Sequence, residues 1–352
     1  MEIIYSSLHN LDLNSKELFC VDIPKEFDSF IKSYIDFAVK ENRSFKKCVS
    51  KDNKTIVANS ILQLCLLNQQ NYQFNVTNKE ENSTSDYFSS IANKLFDVEI
   101  HLQERLTNFT KIQRGSLIQA LINENGCYKF VIAKVEHSEW IDGKSFKKNF
   151  GFPYDNNKIW KSAVFELNAK LDGFDNIKIY LNHKASYWLN DFLEVEDIYK
   201  DDVNTKRALE SIDHGINFLK KESIQDYYII KNSLIREFQT DEIIDYPEII
   251  GKVLDDYKFA NKEIDAETIK KKIITKYNDK NLDTNFCPDL KIVNKNKETR
   301  ITVSTEIEIL IKEGLDKWED NFKTFHTSDG KNFLMVRCEK NDTLKAFQKY
   351  EE

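Results

Sequence analysis

The stretch GSLIQALINENGCYKFVIAKVEH, Gly115–His137, constrains this chain more than any other. Two runs rich in apolar and β-branched residues are joined by Asn125-Gly126. Asn-Gly accepts positive φ at both central positions of a type I′ turn, so the spacing predicts an antiparallel hairpin. IWKSAVFELNAKL (from Ile159) and NIKIYLNH (from Asn176) read as two more strands, with Asp172-Gly173 near their turn. The segment Asp142–Lys161 then becomes a long connection between neighbouring strands of one antiparallel sheet.

Upstream, KELFCVDI (16–23) reads as a strand. Pro24 opens a helix carrying Phe27, Phe30, Ile31, Tyr34, Ile35 and Ala38 at helical spacing. Two short strands are expected around Phe45–Val49 and Thr55–Ala58, then a polar loop at Asn78–Asp86. Phe88, Ile91, Ala92, Leu95, Phe96, Leu102 and Leu106 mark the next helix. From Lys184 the period changes to 3.6. Tyr187, Trp188, Phe192 and Leu193 share one helical face; Leu209, Ile212, Ile216 and Leu219 another; Ile230, Leu234 and Phe238 a third. Pro247 starts a fourth helix and Asp265 caps a fifth. After Pro288 the pattern returns to strands, LKIV and RITVSTEIEI, then a hairpin turning at Asp329-Gly330 and a short last helix. The fold class expected is α+β: a mixed α/β domain with a central antiparallel sheet (1–184), a helical region (185–288), and a small β-hairpin unit with a terminal helix (289–352).

With 352 residues, 41% of them apolar, the chain can bury a sizeable core. Its longest uncharged apolar run, near SILQLCLLN, is far short of the roughly 20 residues of a membrane helix. No basic start followed by an apolar stretch marks a secretory signal, so a cytoplasmic protein without membrane contact is expected. Six cysteines lie far apart with no C-x-x-C pair, which predicts reduced thiols in the core.

The net charge is −7, but the charge is segregated. Lys144, Lys147, Lys148, Lys158 and Lys161 interleave with Phe146, Phe150, Phe152, Tyr154 and Trp160. Lys270–Lys272 with Lys276 and Lys280 form a second basic cluster; Lys291, Lys295, Lys297 and Arg300 a third. Asp191–Asp202 holds six acids and one lysine, and Glu237–Glu248 five acids and no base. A basic face binds phosphates by releasing counterions, and aromatic rings stack on bases. A lysine run on an amphipathic helix is, equally, only its wet side. Only seven of the 51 basic residues are arginine, so the lysine count reflects a general bias as well.

No phosphate-binding glycine loop, nucleophile elbow or H-E-x-x-H is present. Neither catalytic residues, a metal site nor a cofactor is expected. His137 lies between Glu136 and Glu139, a weak metal-binding spacing. A metal-dependent nuclease needs carboxylates near a lysine. Glu166 with Lys170, Asp289 with Lys291, and Glu306 with Glu308 are the incomplete pairs on offer.

The order of motifs resembles the bacterial nucleoid-associated protein family (NdpA-like). The residues that carry it are FSSIANKLFDVEIHLQERLTNF, then QRGSLIQALINENGCYKFVIAKVEH, KIWKSAVFELN, IYLNHKASYWLNDFLEVED, TKRALESIDHGINFL, RITVSTEIEI and TFHTSDGKNFLMVR. In the turn before the aromatic helix, where that family has a glycine and a basic residue, this chain has His183 and Lys184. The resemblance implies sequence-tolerant, non-catalytic DNA binding and association with the nucleoid. The expected DNA contacts are Lys144, Lys147, Lys148, Lys158 and Lys161, then Lys184 and Arg300. The alternative is a protein-interaction subunit of a larger assembly, such as an antiphage system, docking through its acidic stretches; a homo-oligomer is compatible with either.

Overall fold

The structure, a computed structural model, describes residues 1–22, 28–40, 44–74, 81–106, 115–141, 144–146, 148–151, 159–296, 299–311 and 318–347. The fold is α+β. Contacts divide the chain into two units: Met1–Asn204 with Glu242–Tyr246 and Leu282–Cys287, and the remainder of the chain.

The first unit is built on an antiparallel sheet of eight strands. These are β1 (Glu2–Asp12), β2 (Glu17–Cys20), β3 (Lys46–Ser50), β4 (Gly115–Glu124), β5 (Cys127–Glu136), β8 (Ile159–Leu167), β9 (Phe174–Leu181) and β10 (Val195–Asp197), in the order β10-β3-β9-β8-β5-β4-β1-β2. The predicted hairpin is present: Asn125 and Gly126 hold φ of 54° and 88° between β4 and β5. The connection between β5 and β8 contains a separate two-stranded ribbon, β6 (Ser138–Ile141) paired with β7 (Lys148–Gly151).

Both faces of the sheet are covered. Helices α2 (Ile56–Phe74) and α3 (Glu81–Leu106) bring Val57, Ile61, Leu64, Phe88, Ile91 and Leu95 against Leu117, Leu121, Phe130, Ile132, Phe165 and Ile179. Helix α1 (Asp28–Val39) brings Ile31, Tyr34 and Ile35 against Ile118, Ile122, Val131, Ala133 and Val164. Burial on two sides explains why β4 and β5 read as nearly continuous apolar runs rather than alternating ones. Tyr187 and the π-helix Trp188–Leu193 also belong to this unit, and Glu194 ends the π-helix at φ 54°. Strands β11 (Ile244–Asp245) and β12 (Asn285–Phe286) pair within the same unit.

The second unit is mainly helical. It holds α4 (Asp201–Ile216) from Thr205 on, α5 (Leu219–Glu222), α6 (Ile224–Glu237), α7 (Tyr246–Leu254) from Pro247 on, α8 (Ala266–Asn278) and α9 (Leu290–Asn296). Asp265 caps α8 as expected, accepting from the backbone N–H groups of Glu267 and Thr268. Two hairpins follow, β13 (Thr299–Thr302) with β14 (Glu308–Ile311) and β15 (Phe322–His326) with β16 (Asn332–Val336); α10 (Trp318–Asn321) and α11 (Asn341–Phe347) complete the unit.

Several expectations are corrected. Thr55–Ala58 is not a strand: Thr55 Oγ1 accepts from Ala58 N–H and residues from Ile56 onward form α2. Of the loop expected at Asn78–Asp86, residues 78–80 lie outside the described residues, and Glu81–Asp86 begin α3. LKIV is helical, because Asp289 accepts from Lys291 N–H and starts α9. RITVSTEIEI folds back on itself as two strands. Of the thiols, Cys48 and Cys65 are buried, while Cys20 and Cys127 are exposed.

Candidate functional site

Chain reversal brings one end of four central strands together: the start of β4, the end of β5, the start of β8 and the end of β9. On the face covered by α3, Lys134 of β5 stands directly across from Lys161 of β8. Like charges opposite each other in a sheet repel. Each is held by a carboxylate. Lys134 pairs with Glu99 of α3, both side chains wholly out of solvent. Lys161 lies 3.7 Å from Glu136. The Tyr187 hydroxyl donates to Glu99 Oε1 at 3.0 Å, and the Lys161 ammonium sits 5.7 Å from the centre of the Tyr187 ring. Glu99 Oε2 is buried without a hydrogen-bond partner among the described residues.

This packing sets the protonation chemistry. Burial, with the charge of Lys134, pushes the Lys161 ammonium below the ordinary lysine range. Burial beside Glu99 pushes the Tyr187 phenol far up, so it remains a proton donor. Burial and Lys161 push His183 down, which favours a neutral imidazole. Gly115 opens β4 because a Cβ there would stand 2.6 Å from the Val135 carbonyl oxygen and 3.4 Å from Lys134 Cε.

The ribbon β6–β7 departs from this end of the sheet. The sheet end from which β6 starts is tied on both faces. Glu136 and Lys161 join the end of β5 to the start of β8 on the α3 side. On the other side, Ser116 Oγ donates to Asn10 Oδ1 and lies 2.8 Å from Nε2 of His137, the residue that leads into β6. His137 therefore fastens the ribbon rather than a metal with Glu136. At the ribbon's turn Lys144, Ser145 and Phe146 are all exposed.

The expected DNA contacts distribute as follows. Lys144 is exposed at the turn and Lys148 opens β7. Lys184 is exposed just beyond β9, whose Leu181 pairs with Lys161 at the same sheet end. Lys161 is 5% exposed and faces Glu136, so it presents no ammonium to a surface ligand. Arg300 is exposed on β13, in the second unit. Lys147 and Lys158 lie outside the described residues.

Members of the second basic cluster and of the acidic stretches have internal partners. Lys270 pairs with Asp255 and Glu267, and Lys272 covers the Phe218 ring. In the acidic stretches, Asp197 and Asp201 hold the buried Lys46, Glu194 faces Lys94, and Glu237 faces Lys252. Of the nuclease pairs, Glu166 accepts from Lys178 and Asn176 rather than Lys170, and Asp289 accepts from the Lys291 N–H at the start of α9. Among the described residues no three His, Cys, Asp or Glu side chains gather as metal ligands, and no helix is long and apolar enough to cross a membrane.

The buried network itself escaped the sequence reading. Two signals for it exist: Lys134 interrupts the apolar run FVIAKV, and Glu99 falls at the helical spacing of Phe88, Ala92 and Leu95. A scan against protein-family models returns no match to this chain, and a search of curated proteins finds no significant relative.

Proposed function

We propose that the sheet unit binds duplex DNA without marked sequence preference, using the β6–β7 ribbon and the adjoining Lys184 as its contact surface. The observation that carries this reading is the ribbon. It is a two-stranded β element outside the main sheet, with Lys144 exposed at its turn and Lys148 on its second strand. Two-stranded β-ribbons fit DNA grooves. Lysine supplies attraction to phosphates without base readout. The resemblance to nucleoid-associated proteins points the same way. Chemistry on the DNA is no part of the reading.

The test is fluorescence anisotropy with unrelated duplexes across a salt series. Three to four phosphate contacts give a slope of log K against log salt of about −3. The triple variant K144E/K148E/K184E should bind all duplexes more weakly and with a slope near zero. Unchanged affinity and slope in that variant would remove these lysines from the interface. Absence of binding even at low salt would end the proposal.

A further inference from the structure

We propose that Phe146 is a wedge: on binding, its ring enters the minor groove and inserts between two base pairs, kinking the duplex. This deepens the DNA-binding reading and rests on it.

Two independent features of the turn point to this role. Phe146 is 81% exposed at the tip of the ribbon, in the same turn as Lys144 and two residues before Lys148, which opens β7. Removing so large a ring from water is favourable, yet the fold holds this one out in solvent. The backbone there is also unusual. Phe146 has φ 53°, in the left-handed region, where a bulky side chain is strained and Asn or Gly is at ease. A turn residue chosen only for its conformation would be one of those. An aromatic ring kept both exposed and strained is the kind of local outlier that accompanies function.

The neighbours identify the ligand. Lys144 lies two residues before the ring and Lys148 two after it, on opposite sides of the turn. An apolar residue with a lysine two positions away on either side in the sequence matches a groove, which offers a stacked apolar interior between two rails of phosphate. Proteins that bend DNA from the minor groove use this pairing, an apolar side chain between base steps and cations on the backbone. The scheme needs no base-specific hydrogen bond, in keeping with sequence tolerance. It favours steps that unstack easily, such as pyrimidine–purine steps.

The experiment uses the full chain and a short duplex carrying a donor dye at one end and an acceptor at the other. Saturating wild-type protein should raise energy transfer, reporting a bend. Phe146→Asn suits the left-handed backbone and so preserves the turn. It should bind about tenfold more weakly, within the range an aromatic–base stack contributes, with an unchanged salt slope and no rise in transfer. Wild type binding DNA without any change in transfer would overturn the wedge while leaving DNA binding intact. So would a Phe146→Asn protein that bends as wild type does. Vesicles of anionic lipid serve as the competing polyanion: Phe146-dependent binding to vesicles and none to duplex would overturn wedge and DNA reading together.

Discussion

The Glu99–Lys134 pair offers a sharp test of the packing described here. Both side chains have zero exposure, and Lys134 faces a second cation, Lys161, across the strand pair. Replacing Glu99 by Leu leaves the Lys134 ammonium in the core without its carboxylate, beside a like charge. Removing one partner of a buried pair costs about 3–5 kcal/mol. Lys134→Met strands the Glu99 carboxylate with the Tyr187 hydroxyl as its one remaining donor among the described residues, at a similar cost. The double variant E99L/K134M removes both charges and should be more stable than either single one. Its deficit reduces to the Tyr187 hydroxyl, left buried without an acceptor, about 1–3 kcal/mol. Adding Tyr187→Phe should recover most of that. The assay is urea unfolding followed by tryptophan fluorescence, since Trp188 is buried in the same unit. Additive single and double variants would refute the reasoning, because independence means the two side chains do not share one buried site. Lys134→Met as stable as wild type would refute it equally.

Burial raises the Asp283 carboxyl from 3.8 to about 6, against the bonds it accepts from Lys47 N–H and Asn204. The native state therefore holds that proton more tightly than the unfolded chain, so stability falls as pH rises from about 4 to 6, by up to about 3 kcal/mol. Urea midpoints across that window should show Asp283→Asn losing this component of the slope; an identical slope would contradict the assignment. Gly115→Ala should destabilise by about 1–3 kcal/mol, because the added carbon meets backbone at Val135 that cannot swing aside; a neutral result in thermal unfolding would show that the strand ends can part. Alkylation of the native protein, read by mass spectrometry, should label exposed Cys127 well before Cys65, whose thiol burial pushes up to about 12. Equal labelling would mean the α2 face is open to solvent.

What the sequence revealed depended on whether local chemistry and burial agreed. The β4–β5 hairpin was legible because Asn125-Gly126 demands one turn type and both flanks are apolar. Helix α8 was legible from Asp265 and its apolar spacing. Reading failed where propensity and capping conflicted. Ile56 and Val57 are β-branched, yet Thr55 caps them into α2. Ile292 and Val293 are too, yet Asp289 opens α9 ahead of them. Strand β1 gave no clear signal because Ser6, Ser7 and His9 break up its apolar residues, although Ser7 and His9 lie buried in the sheet. The basic stretch was visible as composition, but composition could not separate Lys144, at an exposed turn, from Lys161, in the core. That distinction depends on register, since Lys161 shares its side of β8 with Ala163 and Phe165.

The burial of Lys161 changes its part in the proposed interface. A two-stranded ribbon is marginal on its own, so its direction has to be set where it leaves the body. Apolar contacts are poor at this because they are non-directional. Ion pairs and hydrogen bonds fix angles as well as distances. The sheet end from which β6 starts carries one of each type, Glu136–Lys161 on one face and Ser116–His137 on the other. Apolar residues of similar volume would stabilise the sheet end as well as the buried charges do. What the charges add is orientation, and Glu99, Lys134 and Tyr187 extend that fixed geometry back into α3 and the π-helix. In the DNA-binding reading Lys161 is thus a positioning residue. Its side chain, held by Glu136 and only 5% exposed, fixes the sheet end from which the chain runs into β6.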